Sequence, residues 1–246
     1  MRNEDELLQL ISDANDFGLV CRGVVPLNSD EHSLHVSHDA TVLLFLFGHV
    51  GGSIWNAFED SSEYSDGLPD PMNRWSARIA EMLASKYGGE AKLPFGGPPY
   101  QPFLDWARRA ENLNHSKMGM LIHPTHGLWH AYRFALMVPA GLSQYGESSC
   151  LASQINPQTE RGEDICAQCD SQPCLTACPV SAFEQGQYDV ESCYRHLVKN
   201  DREIACRDDG CHARLACPVG FQSKYPGAQS RFHIRQFMVA QSKVFD

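Results

Sequence analysis

Eight of the ten cysteines in this chain lie between Cys166 and Cys217, and only Cys21 and Cys150 stand outside that segment. No other feature restricts the fold as strongly. Thiols in a reducing compartment stay reduced, so a local cluster of them points to bound metal and away from disulfides. The chain opens Met-Arg-Asn-Glu-Asp-Glu with no apolar region behind it, so no signal peptide is expected and the cytoplasm is the expected location. No run of about 18 apolar residues occurs, so no membrane-spanning helix is expected.

The first run reads Cys166-Ala-Gln-Cys169-Asp-Ser-Gln-Pro-Cys174-Leu-Thr-Ala-Cys178-Pro179. Cys193 follows alone, and then Cys206-Arg-Asp-Asp-Gly-Cys211-His-Ala-Arg-Leu-Ala-Cys217-Pro218. Both runs end in Ala-Cys-Pro-Val, at 177–180 and 216–219, which suggests two related half-modules. A cubane iron–sulfur cluster takes four thiolates, and a short loop can wrap only three of them. The runs resemble those of two-cluster ferredoxins, where the last cysteine of a run ligates the other run's cluster and proline follows it. That resemblance implies one [4Fe–4S] cluster on Cys166, Cys169, Cys174 and Cys217, and a second on Cys178, Cys193, Cys206 and Cys211. The spacing departs from C-x2-C-x2-C-x3-C-P by two extra residues between Cys169 and Cys174 and two between Cys211 and Cys217. Zinc on four-cysteine sites is the competing reading. It is disfavoured because there is one tight C-x2-C pair and because zinc gives no reason for two Cys-Pro endings.

The remainder of the chain alternates helix and strand signals. Leu7, Leu8, Ile11, Ala14 and Phe17 share a helical face that Gly18 would stop. Leu19 to Pro26 and Thr41 to Phe47 read as strands, the second fully buried. Glu59 to Pro71 is an acidic, turn-rich loop. Trp75, Ile79, Met82 and Leu83 mark an amphipathic helix. Pro94 to Tyr100 combines two glycines and three prolines and cannot be regular structure. A short helix with Phe103, Trp106 and Ala107 inward is expected after it. Leu121 to Pro139 has strand composition, broken by Pro124 and Gly127. Ser230 to Gln241 reads as a closing helix.

The cysteine module resembles the ferredoxin part of epoxyqueuosine reductases and reductive dehalogenases, in which a lone helical cysteine separates two runs. Asp189-Val-Glu-Ser-Cys193-Tyr-Arg-His-Leu matches that helix. Upstream, Met118-Gly-Met-Leu-Ile-His123-Pro-Thr-His-Gly127-Leu-Trp129-His-Ala-Tyr-Arg133 is similar to a segment of the same reductases and of the cobalamin-processing decyanase family. The resemblance implies an α+β fold. A nitroreductase-like, cobalamin-processing type domain (1–150), with a corrinoid or flavin site, is followed by a linker (151–163). A dicluster ferredoxin-like module (164–225) and a C-terminal helix packing back (226–246) complete it. Two departures stand out. The reductases carry an upstream Asp-centred motif, and the matching stretch here, Phe95-Gly-Gly-Pro-Pro-Tyr100, has no carboxylate. No D-x-H-x-x-G pattern occurs, so no histidine lower ligand to cobalt is expected.

Under this resemblance His126, Trp129, His130, Tyr132 and Tyr100 are the candidate cofactor-binding residues. Core packing is the alternative for Trp129 and Tyr132, and the favoured one. A strand would set His126, His130 and Tyr132 on one side. His123, His126 and His130 invite a metal reading, but turn and strand signals favour structure or pocket lining. His32, His35 and His38 read as a solvated edge, and Cys21 and Cys150 as buried thiols. A formal net charge of −10 weighs against nucleic acid as a partner without excluding it. Three functions accord with these features. They are electron transfer between donor and acceptor proteins, a reductase whose N-terminal domain holds the corrinoid or flavin, and a corrinoid-reducing trafficking protein. A redox protein with an N-terminal cofactor domain is favoured, because the stretch before the cysteines is far longer than a simple ferredoxin needs.

Overall fold

A computed structural model describes residues 4–29, 31, 41–140, 164–184, 187–199 and 204–245. The expectations placed on His32, His35, His38, Cys150 and the linker lie outside these residues. The described chain is mixed α/β and divides into two compact units, Met1–Asn112 with Ala131–Glu160, and Leu113–His130 with Arg161–Asp246. No helix among the described residues is long and apolar enough to cross a membrane.

The first unit is built on a four-stranded sheet in the order β1-β2-β6-β3. Its strands are β1 (Val20–Leu27), β2 (Thr41–Val50), β3 (Glu90–Lys92) and β6 (His130–Ala140). The unbroken apolar run Val42 to Phe47 explains the position of β2 between neighbours: all six residues are completely buried, as a strand covered on both faces requires. Successive side chains leave the sheet on opposite sides. Val42, Leu44 and Leu46 therefore join Phe103, Trp106 and Ala110 of the helix α5 (Phe103–Ala110) in one core, while Leu43, Phe45 and Phe47 face the other way. Helices α1 (Glu4–Asn15) and α4 (Pro71–Tyr87) touch each other and the sheet. They bury Leu7, Leu10, Ala14, Trp75, Ile79 and Leu83. Met82, expected on the same face, is 42% exposed. Between them α2 (Trp55–Glu59) is short, and the acidic stretch after it is not all loop, because α3 (Ser62–Ser65) closes one helical turn whose Glu63 is bound by Arg78.

An ion pair lies inside this unit. The β1–β2 register slips between Cys21 and Gly23, leaving Arg22 as the extra residue of a bulge. Gly23 adopts φ +137°, and a Cβ there would stand 2.9 Å from Ala110, so only glycine lets β1 lie this close to α5. The bulge turns Arg22 inward. Its Nε and Nη2 donate to the Glu111 carboxylate at 2.8 and 2.9 Å, and its Nη1 donates to the His49 carbonyl at 3.2 Å. The Tyr132 hydroxyl donates to the same carboxylate.

The second unit gathers the cysteine segment, the C-terminal helix and residues 113–130. The sequence places that last stretch in the first domain, 1–150. Its short strands β4 (Asn114–His115) and β5 (Leu121–Ile122) pair, and a turn follows. Met118, Ile122 and Leu128 then bury against Ala182, Phe183 and Ala213. Backbone contact fixes the arrangement. Gly127 (φ +58°) and Gly220 (φ +71°) meet so closely that a Cβ on Gly127 would lie 2.0 Å from the Val219 carbonyl oxygen. The turn also corrects the expectation for His126. Gly127, in a left-handed conformation, keeps His126 out of the strand, and β6 begins only at His130. The closing helix (Gly227–Phe245) is longer than Ser230 to Gln241 and packs on the helix Val190–Val198, with Phe245 stacked on Tyr194 at 5.7 Å.

Candidate metal centre

Each cysteine of the second unit sits on a short element that the local sequence dictates. Asp164 Oδ1 accepts the amides of Cys166 and Ala167 at 3.0 and 3.2 Å, closing the turn that presents Cys166 and Cys169. Pro173 starts the single helical turn that carries Cys174. Cys178 follows it, and the amide of Ala182 donates to Cys178 Sγ at 3.3 Å. Cys193 projects from the helix Val190–Val198, whose first turn is capped by Asp189 accepting the Ser192 amide at 2.9 Å. Cys206 lies in the turn Ala205–Asp208. Cys211 immediately precedes the helical turn His212–Leu215, and Cys217 follows that turn.

These eight thiols fall into two groups. Cys166, Cys169, Cys174 and Cys217 line a small cavity of about 20 Å³ closed by Ile122 and Ile165. Cys178, Cys193, Cys206 and Cys211 line a larger one of about 280 Å³, walled by Met118, Phe183, Ile234 and Phe237. The electrostatics follow the same division. Burial raises the pKa of Cys174, and the nearby Cys217, Cys166 and Cys169 push it further. Burial raises Cys217 too, with Cys166 and Cys169 adding to it. In the other group burial again leads. Cys178 and Cys206 then act on Cys193, Cys178 on Cys206, and Cys193 and Cys206 on Cys211. Crowded, half-buried thiols of this sort resist ionisation on their own. They become good ligands once a cation offsets the repulsion. The Ala182 amide donates to Cys178 Sγ, and Tyr188, the His212 backbone, and the Arg214 and Ala213 backbone offset part of the rise that burial gives Cys193, Cys206 and Cys211 respectively. Among the described residues no group of three or more His, Cys, Asp or Glu forms a site for a single metal ion.

The candidate cofactor residues are divided between the units. His126, Trp129 and His130 belong to the second. The His123 and His126 rings stack at 4.5 Å, and His123 Nδ1 accepts the amides of Thr125 and His126 at 3.0 and 3.1 Å. His126 Nδ1 lies 3.3 Å from Ser223 Oγ. Trp129 is 2% exposed, with the Arg214 guanidinium over its ring at 4.5 Å and Tyr225 at its edge. It is a core aromatic. Tyr132 and Tyr100 belong to the first unit. Tyr132 is tied to Glu111, and burial raises its pKa. Tyr100 is 69% exposed on its loop. The strand face expected to carry His126, His130 and Tyr132 together does not form, because His126 lies in the turn. Cys21 lies in the first unit, and burial pushes its thiol up to about 12.

Sequence reasoning missed Tyr188 and the Gly127–Gly220 contact. Tyr188 had a signal, since it immediately precedes the Asp189 cap of the helix that bears Cys193. The glycine contact had none, because its two halves are far apart in the chain.

No protein-family model matches the chain, and no curated protein matches it. Among solved structures, an epoxyqueuosine reductase crystallised with an epoxyqueuosine-modified tRNA-Tyr stem loop is similar at 16% identity and a TM-score of 0.43. The match covers 91% of this chain and 67% of that one.

Proposed function

We propose that this chain is an iron–sulfur redox protein of the reductase type, holding two [4Fe–4S] clusters and passing electrons to a cofactor or partner protein. One observation carries the reading: the eight thiols line two separate cavities, four to each, and each set mixes residues from distant stretches of chain. The donor set fits the group. Thiolates are the usual ligands of such clusters, four corners need four of them, and the walls are apolar. A cubane also needs no convergence of thiols on a single point, unlike a tetrahedral zinc with sulfur at about 2.3 Å.

When bound, the clusters supply one-electron storage. The chain's own contributions are separate from that. Cys166, Cys169, Cys174 and Cys217 would hold one cluster, and Cys178, Cys193, Cys206 and Cys211 the other. Ile122, Met118, Phe183 and Phe237 keep water from the sulfurs. The Ala182 amide donates to Cys178 Sγ and would stabilise thiolate charge there, and the backbone at His212, Ala213 and Val219 favours the thiolate at Cys206, Cys211 and Cys217 against burial.

Iron and acid-labile sulfide analysis of anaerobically purified protein, with electron paramagnetic resonance after reduction, tests the reading. Eight irons per chain are the expected content, since each cubane carries four. Cys217→Ala is expected to remove the signal of the set to which Cys217 belongs and to leave the other. Loss of only the other signal would refute the assignment, and colourless, zinc-bearing protein would refute the function. A shift of cobalamin or flavin bands on mixing would favour a cofactor-dependent reductase. Unchanged bands would favour an electron carrier.

A further inference from the structure

Tyr188 stands out among the residues around the larger cavity because three independent restraints aim it. It pairs with Phe183 in the hairpin of β7 (Phe183–Glu184) and β8 (Gln187–Tyr188). Its ring stacks on Phe183 at 4.7 Å with 12° between the planes, and Phe237 approaches at 6.3 Å. The next residue is Asp189, which caps the helix bearing Cys193, so phenol and thiol are held by one continuous piece of chain. Tyr188 and Cys193 line the same cavity, and the phenol offsets part of the rise that burial gives the Cys193 pKa. A structural tyrosine at a surface hairpin would gain as much from turning its hydroxyl to water, since its residue is 38% exposed. Here the ring is held against Phe183 at the wall of the thiol cavity instead.

We propose that Tyr188 is a positioning residue that raises the reduction potential of the cluster held by Cys178, Cys193, Cys206 and Cys211. The inference rests on the two-cluster reading above. The step concerned is uptake of one electron by that cluster from an external one-electron donor, with no bond made or broken. The reduced state carries one more negative charge, shared with the ligand sulfurs. An O–H donor on Cys193 stabilises the reduced state more than the oxidised state, so its presence favours reduction.

The experiment is a potentiometric titration of the whole protein with clusters in place, followed by electron paramagnetic resonance, comparing the parent with Tyr188→Phe. The substitution keeps the ring that stacks on Phe183 and removes only the hydroxyl. The expected result is full iron and sulfide content, one midpoint lowered, and the other unchanged. A tenfold weakening of the reduction equilibrium corresponds to about 59 mV for one electron, and a shift of that order is expected. Two midpoints identical to the parent's would overturn the proposal. A shift in both would overturn it too, by showing a general disturbance. Loss of the second cluster's iron in Tyr188→Phe would assign the phenol to holding the cluster and not to tuning it, which also overturns the proposal. If the parent itself lacks two iron–sulfur signals, it is the two-cluster reading that fails.

Discussion

Gly127→Ala is the sharpest test of how the second unit is assembled. The substitution adds one methyl group to a turn, a change that would be nearly silent were the turn exposed. Here it meets two obstacles. Gly127 has φ +58°, where an L-residue with a Cβ costs roughly 1–2 kcal/mol. The new Cβ would also stand 2.0 Å from the Val219 carbonyl oxygen and 2.6 Å from its carbonyl carbon, well inside contact distance and against backbone that cannot rotate away. The chain must part there. Parting it exposes neighbours of Met118, Ile122 and Leu128, so the total loss should reach about 3 kcal/mol or more, the range that marks named backbone strain and broken core packing. Val219 is two residues from Cys217, so the displacement should also weaken cysteine ligation in the smaller cavity. Amide hydrogen exchange on the anaerobic protein reads both consequences. Protection should fall across residues 113–130 and 204–245 and persist in β1, β2 and α4, with a matching loss of iron. Unchanged protection and iron content would refute the close-contact argument.

Two further outcomes concern the first unit. Arg22→Leu leaves the Glu111 carboxylate buried without its guanidinium, and removing one partner of such a pair costs about 3–5 kcal/mol; a change in denaturant midpoint corresponding to less than 1 kcal/mol would show that the pair is dispensable. The Arg78 guanidinium, hydrogen-bonded to Glu63, holds that carboxyl down at about 2 from its usual 4.5. Its stabilisation is therefore complete above about pH 4.5 and lost as pH falls towards 2, so Glu63→Gln should flatten the acid limb of a stability–pH curve.

Much of this architecture is legible in residue order, and the exceptions share a cause. Val42 to Phe47 announces a strand covered on both faces, and the four-residue apolar spacing at Trp75, Ile79 and Leu83 gives α4, because both signals are local. Phe103, Trp106 and Ala107 turn inward as their spacing demands. The ferredoxin resemblance implies two sets of four thiols, and the repeated Ala-Cys-Pro-Val ending implies two half-modules. What could not be read depends on partners distant in sequence. Arg22, inside an apolar run, gives no hint that a bulge will bury it against Glu111. Residues 121–130 read as the start of the strand composition that runs on to Pro139, whereas burial of Met118, Ile122 and Leu128 and the Gly127–Gly220 contact pack the stretch with the cysteines. His126 was misplaced for the same reason, since a glycine that follows a histidine does not declare that its φ is positive. Tyr188 is overlooked because hydropathy does not reveal which cavity a ring will wall.

The path of the chain has a bearing on synthesis. The first unit's sheet is ordered β1-β2-β6-β3, so β6 sits between β2 and β3, yet β6 is made only after residues 113–130 have emerged. As the polypeptide leaves the ribosome, the sheet therefore stays open until an excursion belonging to the other unit has already passed. That excursion must then wait for the thiol-bearing segment to arrive. A truncation after residue 140 would retain every strand of the sheet and leave Met118, Ile122 and Leu128 with nothing to bury against. The two halves are thus poor candidates for separate expression, and their order of birth gives nascent-chain chaperones an apolar segment to shield.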